Sequence, residues 1–201
     1  MFLTEAIHTE KAQCQDCYKC VRHCPVKAIK VENDVASVIS SRCILCGTCV
    51  GICPVGAKKV RDDLGRARNL LRLKSRVLVS LAPSWASEFP DLNANRMVAG
   101  LKALGFAGIS ETALGAEEVS AHAAELIKRH PDRLWISSAC PAVVSYISGY
   151  RPDLIEAVTP LDSPLLAHCR FLREGYGEDI GVVFIGPCIA KKREADEHPD
   201  L

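Results

Sequence analysis

The cysteines constrain this chain more than any other residue type. Eight of the eleven occur in two copies of one pattern, C-x2-C-x2-C-x3-C-P. The first copy is Cys14, Cys17, Cys20, Cys24 and Pro25, and the second is Cys43, Cys46, Cys49, Cys53 and Pro54. Each cysteine of the second copy lies 29 residues after its counterpart, so the N-terminal part of the chain is an internal repeat.

This spacing is typical of bacterial ferredoxins that bind two [4Fe–4S] clusters. Three cysteines along a tight turn can direct three thiolates at three corners of one cubane. The helix-breaking proline after the fourth cysteine directs that cysteine toward the other cluster. The predicted ligand sets therefore cross between the two copies. One set is Cys14, Cys17, Cys20 and Cys53, and the other is Cys43, Cys46, Cys49 and Cys24.

Disulfides and zinc are the two competing uses of clustered cysteines, and both fit this chain less well. Disulfides need an oxidising compartment, and disulfide frameworks usually occur in small secreted domains. The opening sequence MFLTEAIHTEK has no basic segment followed by an apolar one, so no signal peptide is predicted. Structural zinc sites use cysteine pairs separated by a longer gap. Thiolate ligands and oxygen-labile clusters favour a reducing cytoplasm, and we expect an anaerobic organism.

The composition argues against several function classes. With 201 residues, 48% hydrophobic and 24% charged, the chain can form one small module and one larger core. The formal net charge of +1 does not suggest binding to nucleic acid or to a membrane surface. The longest apolar stretches, such as 77–82 and 181–185, have the length of a strand, so no membrane span is predicted.

Three segments are predicted along the chain. Residues 1–60 should form an α+β ferredoxin-like domain with two clusters, with a hairpin turn at Asn33-Asp34. Residues 61–75 are rich in Arg, Lys and Leu and predict a short amphipathic helix that connects two domains. Residues 76–201 alternate strand-like and helix-like patterns, which predicts an α/β domain with a mostly parallel sheet.

The predicted elements of the α/β domain can be given individually. Strands are expected at 77–81, from 109, at 134–137 and at 180–185, and helices at 93–104, 116–130 and 163–176. Gly105 is expected to end the first of these helices. The last has Ser163 as its N-cap and Pro164 at its first position.

Three short motifs follow predicted strands. They are A-P-S at 82–84, S-S-A-C-P at 137–141 and G-P-C-I-A-K-K-R-E at 186–194. Ligands of open parallel sheets bind beyond the carboxyl ends of the strands. Cys140 and Cys188 are therefore predicted to converge at one edge of the sheet. A single Cys-Pro after a strand is more often a small buried apolar residue. Two such cysteines at equivalent strand ends, in a chain that already has iron–sulfur motifs, are more typical of cluster ligands.

The chain resembles the catalytic subunit of [FeFe] hydrogenases in the order of these motifs after the cysteine repeat. The resemblance extends from Cys14 to about Glu194. The resemblance implies an H-cluster, a cubane joined through a cysteine to a two-iron subsite with CO and cyanide, in the complete protein. It implies that Cys140 and Cys188 are cubane ligands and that Lys191 donates to a cyanide. Further residues that it assigns to the pocket are Ala82, Pro83, Ser84, Ser163, Pro164 and Glu194, the last as a buried salt-bridge partner. Cys169 matches no ligand position and is expected in the core of its helix.

Three departures from the family pattern change what we expect of the chain. Ala139 stands where fast hydrogenases have a cysteine that delivers protons, and a methyl group cannot transfer a proton. Gly186 replaces a methionine beside the two-iron subsite. Both changes are similar to those in the sensory branch of the family, in which slow turnover reports the hydrogen level to a signalling domain. Two further cubane cysteines, the bridging one included, are expected downstream and do not occur before Leu201. We therefore expect either a fragment of a longer protein or a second chain that supplies them.

The sequence thus predicts the electron-transfer and partial active-site region of an [FeFe] hydrogenase-like protein, of sensory type or low activity. These 201 residues alone should bind two [4Fe–4S] clusters without evolving hydrogen. A redox partner, either a ferredoxin or a reductase, is expected, as is a downstream signalling domain or a second subunit. Two alternatives remain open. One is a ferredoxin-type electron carrier with a docking domain. The other is a relative of the eukaryotic iron–sulfur assembly factors, which share S-A-C-P and P-C-x-x-K but generally lack the complete repeat.

Overall fold

The structure, a computed structural model, describes residues 5–199 of the chain. The first four residues of the N-terminal segment assessed for a signal peptide, and residues 200–201 of the predicted α/β domain, lie outside the described residues. The described residues form two compact units that do not follow the order of the sequence. The first unit comprises 5–62, 140–156 and 188–197, and the second unit comprises 63–139, 157–187 and 198–199.

The described part of the chain contains seven strands, nine α-helices and three short 3-10 turns. The strands are β1 (Ile7–Thr9), β2 (Ile29–Glu32), β3 (Val35–Val38), β4 (Lys58–Val60), β5 (Val77–Leu81), β6 (Gly108–Glu111) and β7 (Gly181–Ile185). The α-helices are α1 (Lys19–His23), α2 (Thr48–Ile52), α3 (Leu64–Leu73), α4 (Trp85–Glu88), α5 (Ala94–Ala103), α6 (Ala113–Arg129), α7 (Pro141–Tyr150), α8 (Pro164–Tyr176) and α9 (Ala190–Glu197). The 3-10 turns are Lys11–Gln13, Ser40–Arg42 and Pro152–Ala157. Within these residues, no helix combines the length and the apolar character that a bilayer crossing requires.

The first unit has the predicted α+β architecture, with two antiparallel strand pairs and short helices. Strand β1 pairs with β4, and β2 pairs with β3. The turn between β2 and β3 is at Asn33 and Asp34, whose φ angles of 50° and 59° are those of a type I′ hairpin turn. The predicted hairpin is therefore confirmed, and its turn residues are among those that best tolerate a left-handed backbone.

The core of the first unit combines short apolar residues of the cysteine repeat with residues from much later in the chain. Ala28 and Ala57, which are equivalent in the two copies, are 1% and 2% exposed. Tyr150 from α7, together with Ile189 and Ala190 from the segment around α9, packs in the same cluster. The Tyr150 hydroxyl also donates a hydrogen bond to the carbonyl oxygen of Arg42 at 2.8 Å, and its oxygen lies 3.2 Å from the carbonyl oxygen of Val26. Helices α7 and α9, neither of which the sequence predicts, thus belong to the first unit.

The second unit is built on a three-stranded parallel sheet in the order β6-β5-β7. All five residues of the central strand β5 are buried and four of them are apolar, as expected for a strand in a sheet that is covered on both faces. On one face, Val79 packs with Leu101 and Phe106. On the other, Leu78 packs with Leu172 of α8. The prediction of a parallel sheet covered by helices is confirmed.

Helix α3, which the sequence predicts as a connector, packs on the sheet of the second unit. Leu70 and Leu71 lie against the same apolar cluster as Val79. The approach is close, since a Cβ atom on Gly181 of β7 would lie 2.8 Å from Cγ of Leu70. The amphipathic pattern of residues 61–75 therefore reflects burial of one helix face against strands.

One predicted strand is wrong. Residues 134–137 do not join the sheet, and only Ile136 forms an isolated parallel bridge, to Val158. The Ile136 N–H donates to the carbonyl oxygen of Ala157 at 2.7 Å, and its carbonyl oxygen accepts from Thr159 N–H at 2.8 Å. Both backbone groups of Ile136 are therefore bonded to residues 157–159 and not to a strand of the sheet. Cys140 therefore follows a bridge and not a sheet strand, contrary to the prediction.

A buried polar network links α8 to the sheet. His168 is completely buried, and its Nδ1 and Nε2 atoms lie 2.8 Å from the Oγ atoms of Ser80 and Ser110 respectively. Thr112 extends the network through a hydrogen bond of 2.8 Å to Ser80. Burial lowers the pKa of His168, so the ring is held neutral with a hydroxyl partner at each nitrogen. The network fixes how α8 approaches β5 and β6.

Candidate metal centres

Four of the eight repeat cysteines line one cavity in the first unit. The cavity encloses about 340 Å³ of atom-free space, part of which is open to solvent. Cys14, Cys17 and Cys20 of the first copy and Cys53 of the second copy contribute to its walls. The structure therefore brings together the four thiols of one predicted ligand set, including the one from the distant copy. We call these four residues the first cage.

The other four cysteines, Cys24, Cys43, Cys46 and Cys49, we call the second cage. Burial raises the pKa of the Cys43 thiol, and the neighbouring thiols of Cys46 and Cys24 raise it further. Burial also raises the pKa of Cys49 to about 11, with Cys43 and Cys46 acting in the same direction. Each of the four thiols thus lies within electrostatic range of another, and Cys49 also lies within range of Cys20 of the first cage. Cys24 of the first copy lies within range of Cys43 of the second copy.

The two cages have the same backbone geometry. Positive φ angles occur at three equivalent pairs of positions, separated by the length of the repeat. The pairs are Asp16 (49°) with Leu45 (56°), Tyr18 (58°) with Gly47 (80°), and Lys27 (51°) with Gly56 (63°). Left-handed residues between closely spaced cysteines turn the chain so that successive thiols point to one centre. Helices α1 and α2, which carry Cys20 and Cys49, begin directly after the second pair.

Backbone N–H groups donate to the sulfur atoms of both cages. Ala28 N–H donates to Cys24 Sγ and Ala57 N–H donates to Cys53 Sγ, each at 3.2 Å. Leu45 N–H donates to Cys43 Sγ at 3.4 Å. At Cys53, burial raises the pKa, but the surrounding N–H groups outweigh it and lower the pKa overall. Such donors stabilise thiolates, which is the form that binds iron.

The arrangement fits a cubane better than a single metal ion. In residues 5–199, no three His, Cys, Asp or Glu side chains converge closely enough to hold one ion. A tetrahedral zinc site with Zn–S bonds of about 2.3 Å needs sulfur atoms roughly 4 Å apart. A cubane instead holds four thiolates at separate corners, which requires a wider spacing and a cavity between them. All eleven cysteines are free thiols.

Cys140 and Cys188 are both exposed and both lie in the first unit. Cys140 is the N-cap residue of α7, with Pro141 at the first helical position. Cys188 precedes α9 by two residues. The residues that carry these two thiols are therefore attached to the same unit as the two cages.

Specific contacts attach the Cys188 segment to the second cage. The space beside Gly47 is filled by Ile189, because a Cβ atom on Gly47 would lie 2.9 Å from Cδ1 of Ile189. Arg193 donates through Nη1 to the carbonyl oxygen of Cys43 at 3.0 Å. Arg61 forms a two-pronged ion pair with Asp196 of α9, at 2.7 and 3.0 Å. No sequence pattern indicates these contacts, because each joins positions more than a hundred residues apart.

Lys191 and Glu194 form an ion pair within α9. The distance from Lys191 Nζ to Glu194 Oε2 is 2.8 Å, and each side chain is 11% exposed. Glu194 is thus a partly enclosed salt-bridge partner of Lys191. A low-dielectric surrounding strengthens such a pair and fixes the direction of the ammonium group.

The remaining predicted pocket residues belong to the second unit. Ala82 follows β5 directly, and its N–H donates to the carbonyl oxygen of Ile185 at 2.9 Å. Pro83 and Ser84 continue into α4, for which Ser84 is the N-cap residue. Ser163 caps α8, as predicted, by accepting from Leu166 N–H at 3.4 Å, and Pro164 is the first helical residue. Cys169 is buried in α8, 6% exposed, where the sequence predicts a core residue.

The space beside Gly186 is occupied by the ring of Phe184. A Cβ atom on Gly186 would lie 2.6 Å from Cζ of Phe184 and 2.8 Å from Cβ of Ala82. Gly186→Met should therefore destabilise the second unit by about 2 kcal/mol in urea unfolding followed by circular dichroism. Phe184→Ala in the same chain should recover only part of the loss, since Ala82 remains.

Gly175→Met is the matched control for this substitution. Gly175 lies near the end of α8, and an added Cβ would meet nothing within 4 Å. Its unfolding midpoint should stay close to that of the unmodified chain. Equal midpoints for the Gly175 and Gly186 variants would show that Phe184 does not exclude a side chain there.

Comparison with known proteins now gives the family. A profile described as "Iron only hydrogenase large subunit, C-terminal domain" matches residues 75–200. The chain belongs to the iron-only hydrogenase large-subunit family. A second profile, "4Fe-4S dicluster domain", matches residues 6–54, which contain both cages. The chain thus combines a region for two [4Fe–4S] clusters with part of a hydrogenase H-cluster domain.

Solved hydrogenase structures resemble this chain. One is the [FeFe]-hydrogenase studied for oxygen inactivation through its H cluster 2Fe subcluster, with 25% identity and a TM-score of 0.53. The matched region covers 68% of this chain and 41% of the hydrogenase chain. HydA(deltaEFG), studied for stepwise H-cluster assembly, has 25% identity, a TM-score of 0.53 and coverages of 68% and 40%. A variant of HydA1 from Chlamydomonas reinhardtii has 25% identity, a TM-score of 0.52 and the same coverages.

The chain matches only part of these hydrogenases. The chain spans about 41% of the length of the first of these hydrogenases, which is well under two thirds. A search of curated proteins finds no match.

Proposed function

We propose that this chain conducts electrons through two [4Fe–4S] clusters to the cubane of an H-cluster, in an assembly that interconverts protons and hydrogen. The observation that carries the proposal is the composition of the first unit. The segments with Cys140 and Cys188 fold together with the two cages, although about a hundred residues separate them from the cysteine repeat. Electron transfer needs redox centres that are held at fixed and short separations. A single folded unit that contains both cages and the segments with Cys140 and Cys188 can hold such centres in place.

We propose further that the second cage is the one that exchanges electrons with the H-cluster domain. Ile189 follows Cys188 directly and packs beside Gly47, which lies between two cysteines of the second cage. Arg193 donates to the backbone of Cys43 in the same cage. These two contacts hold the Cys188 segment against one cage.

Each residue of the pocket has a role in this proposal. Cys140 and Cys188 would supply two thiolates to an H-cluster cubane, for which the family resemblance implies two further cysteines. When bound, the H-cluster supplies the redox chemistry of 2 H⁺ + 2 e⁻ ⇌ H₂. Lys191, oriented by its ion pair with Glu194, would donate a hydrogen bond to an anionic ligand of the H-cluster. By the family resemblance alone, Ala82-Pro83-Ser84 and Ser163-Pro164 would line the cyanide ligands of the two-iron subsite.

The catalytic rate is proposed to be low, as in a sensory hydrogenase. Ala139 presents a methyl group where the fast members of the family have a proton-delivering cysteine. Proton transfer to a reacting centre requires a titratable group within hydrogen-bond reach, and general acid–base groups contribute roughly 10² to 10⁴ in rate. A signalling domain or partner that responds to the state of the H-cluster fits such slow turnover, and a ferredoxin or reductase would exchange electrons with the two [4Fe–4S] clusters.

Two measurements test the proposal. Anaerobic reconstitution of the 201-residue chain should give about eight iron atoms per chain and the EPR spectrum of two interacting clusters. In a longer chain that contains the missing cysteines, maturation should produce CO and cyanide infrared bands. Absence of those bands with both clusters intact would favour the electron carrier.

Film voltammetry of that matured protein tests the low rate, with Ala139→Cys as the matched variant. The unmodified protein should give small proton-reduction currents, and Ala139→Cys should increase them at least tenfold. Currents equal to those of hydrogenases with a cysteine at this position would contradict the low-activity assignment.

A further inference from the structure

A buried lysine lies in the first unit beside the cages. Lys58, at the start of β4, is 3% exposed and lines the cavity of the first cage. Its Nζ atom donates to Oγ1 of Thr9 at 2.7 Å and to the carbonyl oxygen of Ala36 at 2.6 Å. A hydroxyl and a carbonyl stabilise an ammonium group without cancelling its charge. The adjacent Lys59 is exposed.

The internal repeat shows that the fold does not require a charge at this position. The residue equivalent to Lys58 in the first copy is Ile29, which is 8% exposed. Both follow a buried alanine, Ala57 and Ala28, in the same local geometry. An ammonium group that is buried costs several kcal/mol unless its surroundings favour the charge. The lysine therefore breaks the symmetry of the repeat at a cost that an apolar residue would avoid.

The geometry places the charge of Lys58 at the first cage. The cavity that the four cysteines of the first cage line is also lined by Lys58, Thr9 and Ala36. Thr9 and Ala36 are the residues that accept hydrogen bonds from Nζ of Lys58. The ammonium group therefore lies in the wall of the first cage.

We propose that Lys58 raises the reduction potential of the cluster in the first cage, so that electrons from the H-cluster domain collect there. The physical reason is that each cluster gains one negative charge when it accepts one electron. A fixed positive charge in a region of low dielectric stabilises the reduced state. This inference rests on the proposed function in requiring that both cages hold clusters.

The direction of flow follows from the same asymmetry. Ile189 and Arg193 attach the Cys188 segment to the second cage, whereas Lys58 lines the cavity of the first. Electrons released by hydrogen oxidation would therefore pass from the lower-potential second cage to the higher-potential first cage. A redox partner would collect them there.

Lys58→Gln in the reconstituted 201-residue chain tests the effect of the charge, since glutamine retains N–H donors. EPR-monitored redox titration should show the midpoint potential of the first-cage cluster shifted to a more negative value, which reduces the difference between the two clusters. Lys58→Arg, which retains the charge, should keep potentials close to the original. Lys59→Gln removes the same charge from an exposed position of the same strand and should shift them much less.

A second pair of variants leaves Lys58 in place. Thr9→Asp puts a carboxylate beside Nζ and should shift the potentials in the same direction as Lys58→Gln, whereas the isosteric Thr9→Val should not. This pair decides the question even if Lys58→Gln fails to assemble clusters. Equal potentials in the Asp and Val variants, or equal shifts for Lys58→Gln and Lys59→Gln, would overturn the inference. An iron-free unmodified chain would instead overturn the proposed function, so the two failures are distinguishable.

Discussion

Replacing Cys14 and Cys53 together with alanine should remove one cluster and leave the other intact. Both thiols line the first cavity, although they belong to different copies of the repeat. Loss of either ligand already opens one corner of the same cubane, so the second substitution should cost little more iron. The double variant should retain about four iron atoms per chain after anaerobic reconstitution. This is the non-additivity expected of residues that act on one centre.

Cys14→Ala with Cys24→Ala is the matched contrast, because these two cysteines are in the same copy of the repeat. Cys24 interacts electrostatically with Cys43 of the second cage. This pair should therefore disrupt both clusters and leave little iron. Iron assays and EPR spectra of the two double variants distinguish crossed ligand sets from sets confined to one copy. If the Cys14/Cys24 variant kept about four irons while the Cys14/Cys53 variant lost all, the crossed assignment would be wrong.

Local patterns explain why much of the fold could be predicted from the sequence. The hairpin at Asn33-Asp34 depends on two adjacent residues that tolerate positive φ. Helix α8 begins at its predicted N-cap, Ser163, because a short polar side chain can accept from the first free N–H groups. Strand β5 is a short apolar run, which matches burial on both faces of a sheet. In each case the determining interactions lie within a few residues.

The failures concern interactions between distant parts of the chain. Residues 134–137 have a strand-like composition, but their backbone bonds with the segment at 157–159, and the sequence carries no signal for that pairing. Helix α6 begins at Ala113, three residues before the predicted start, because alanine and glycine give no clear boundary. The attachment of α7 and α9 to the first unit depends on Tyr150 and Arg193, whose partners are more than a hundred residues away.

The site was predictable to the extent that spacing encodes it. The first-cage cysteines could be grouped because regular intervals along a turn dictate where thiols point. Lys58 could not be recognised as buried, since it is one of two consecutive lysines in a short strand. Only comparison with Ile29, the equivalent residue of the first copy, distinguishes its position from that of Lys59. The difference between Lys58 and Ile29 at equivalent positions of the two copies is therefore the feature of the sequence that marks Lys58 as unusual.

Gly115→Ala should lower the unfolding free energy of the second unit more than an alanine substitution at Gly181 or Gly186 would. A Cβ atom added to Gly115 of α6 would overlap the carbonyl oxygen of Pro164 and lie 2.7 Å from the backbone nitrogen of His168, both in α8. Backbone atoms within a helix cannot move aside as a side-chain end can. The two helices would have to separate, which should strain the His168 network and cost about 3 kcal/mol.

Gly100→Ala is the matched control, because Gly100 lies within α5 of the same unit and has nothing within 4 Å of an added Cβ. It should be neutral or stabilising by up to about 1 kcal/mol, since alanine favours a helix more than glycine does. Urea unfolding by circular dichroism measures both changes. Because α8 begins at Pro164, the Gly115 substitution should also displace Ser163-Pro164 and weaken the CO and cyanide infrared bands of a matured longer chain. Equal unfolding midpoints for the two alanine variants would show that α6 and α8 are not in close backbone contact.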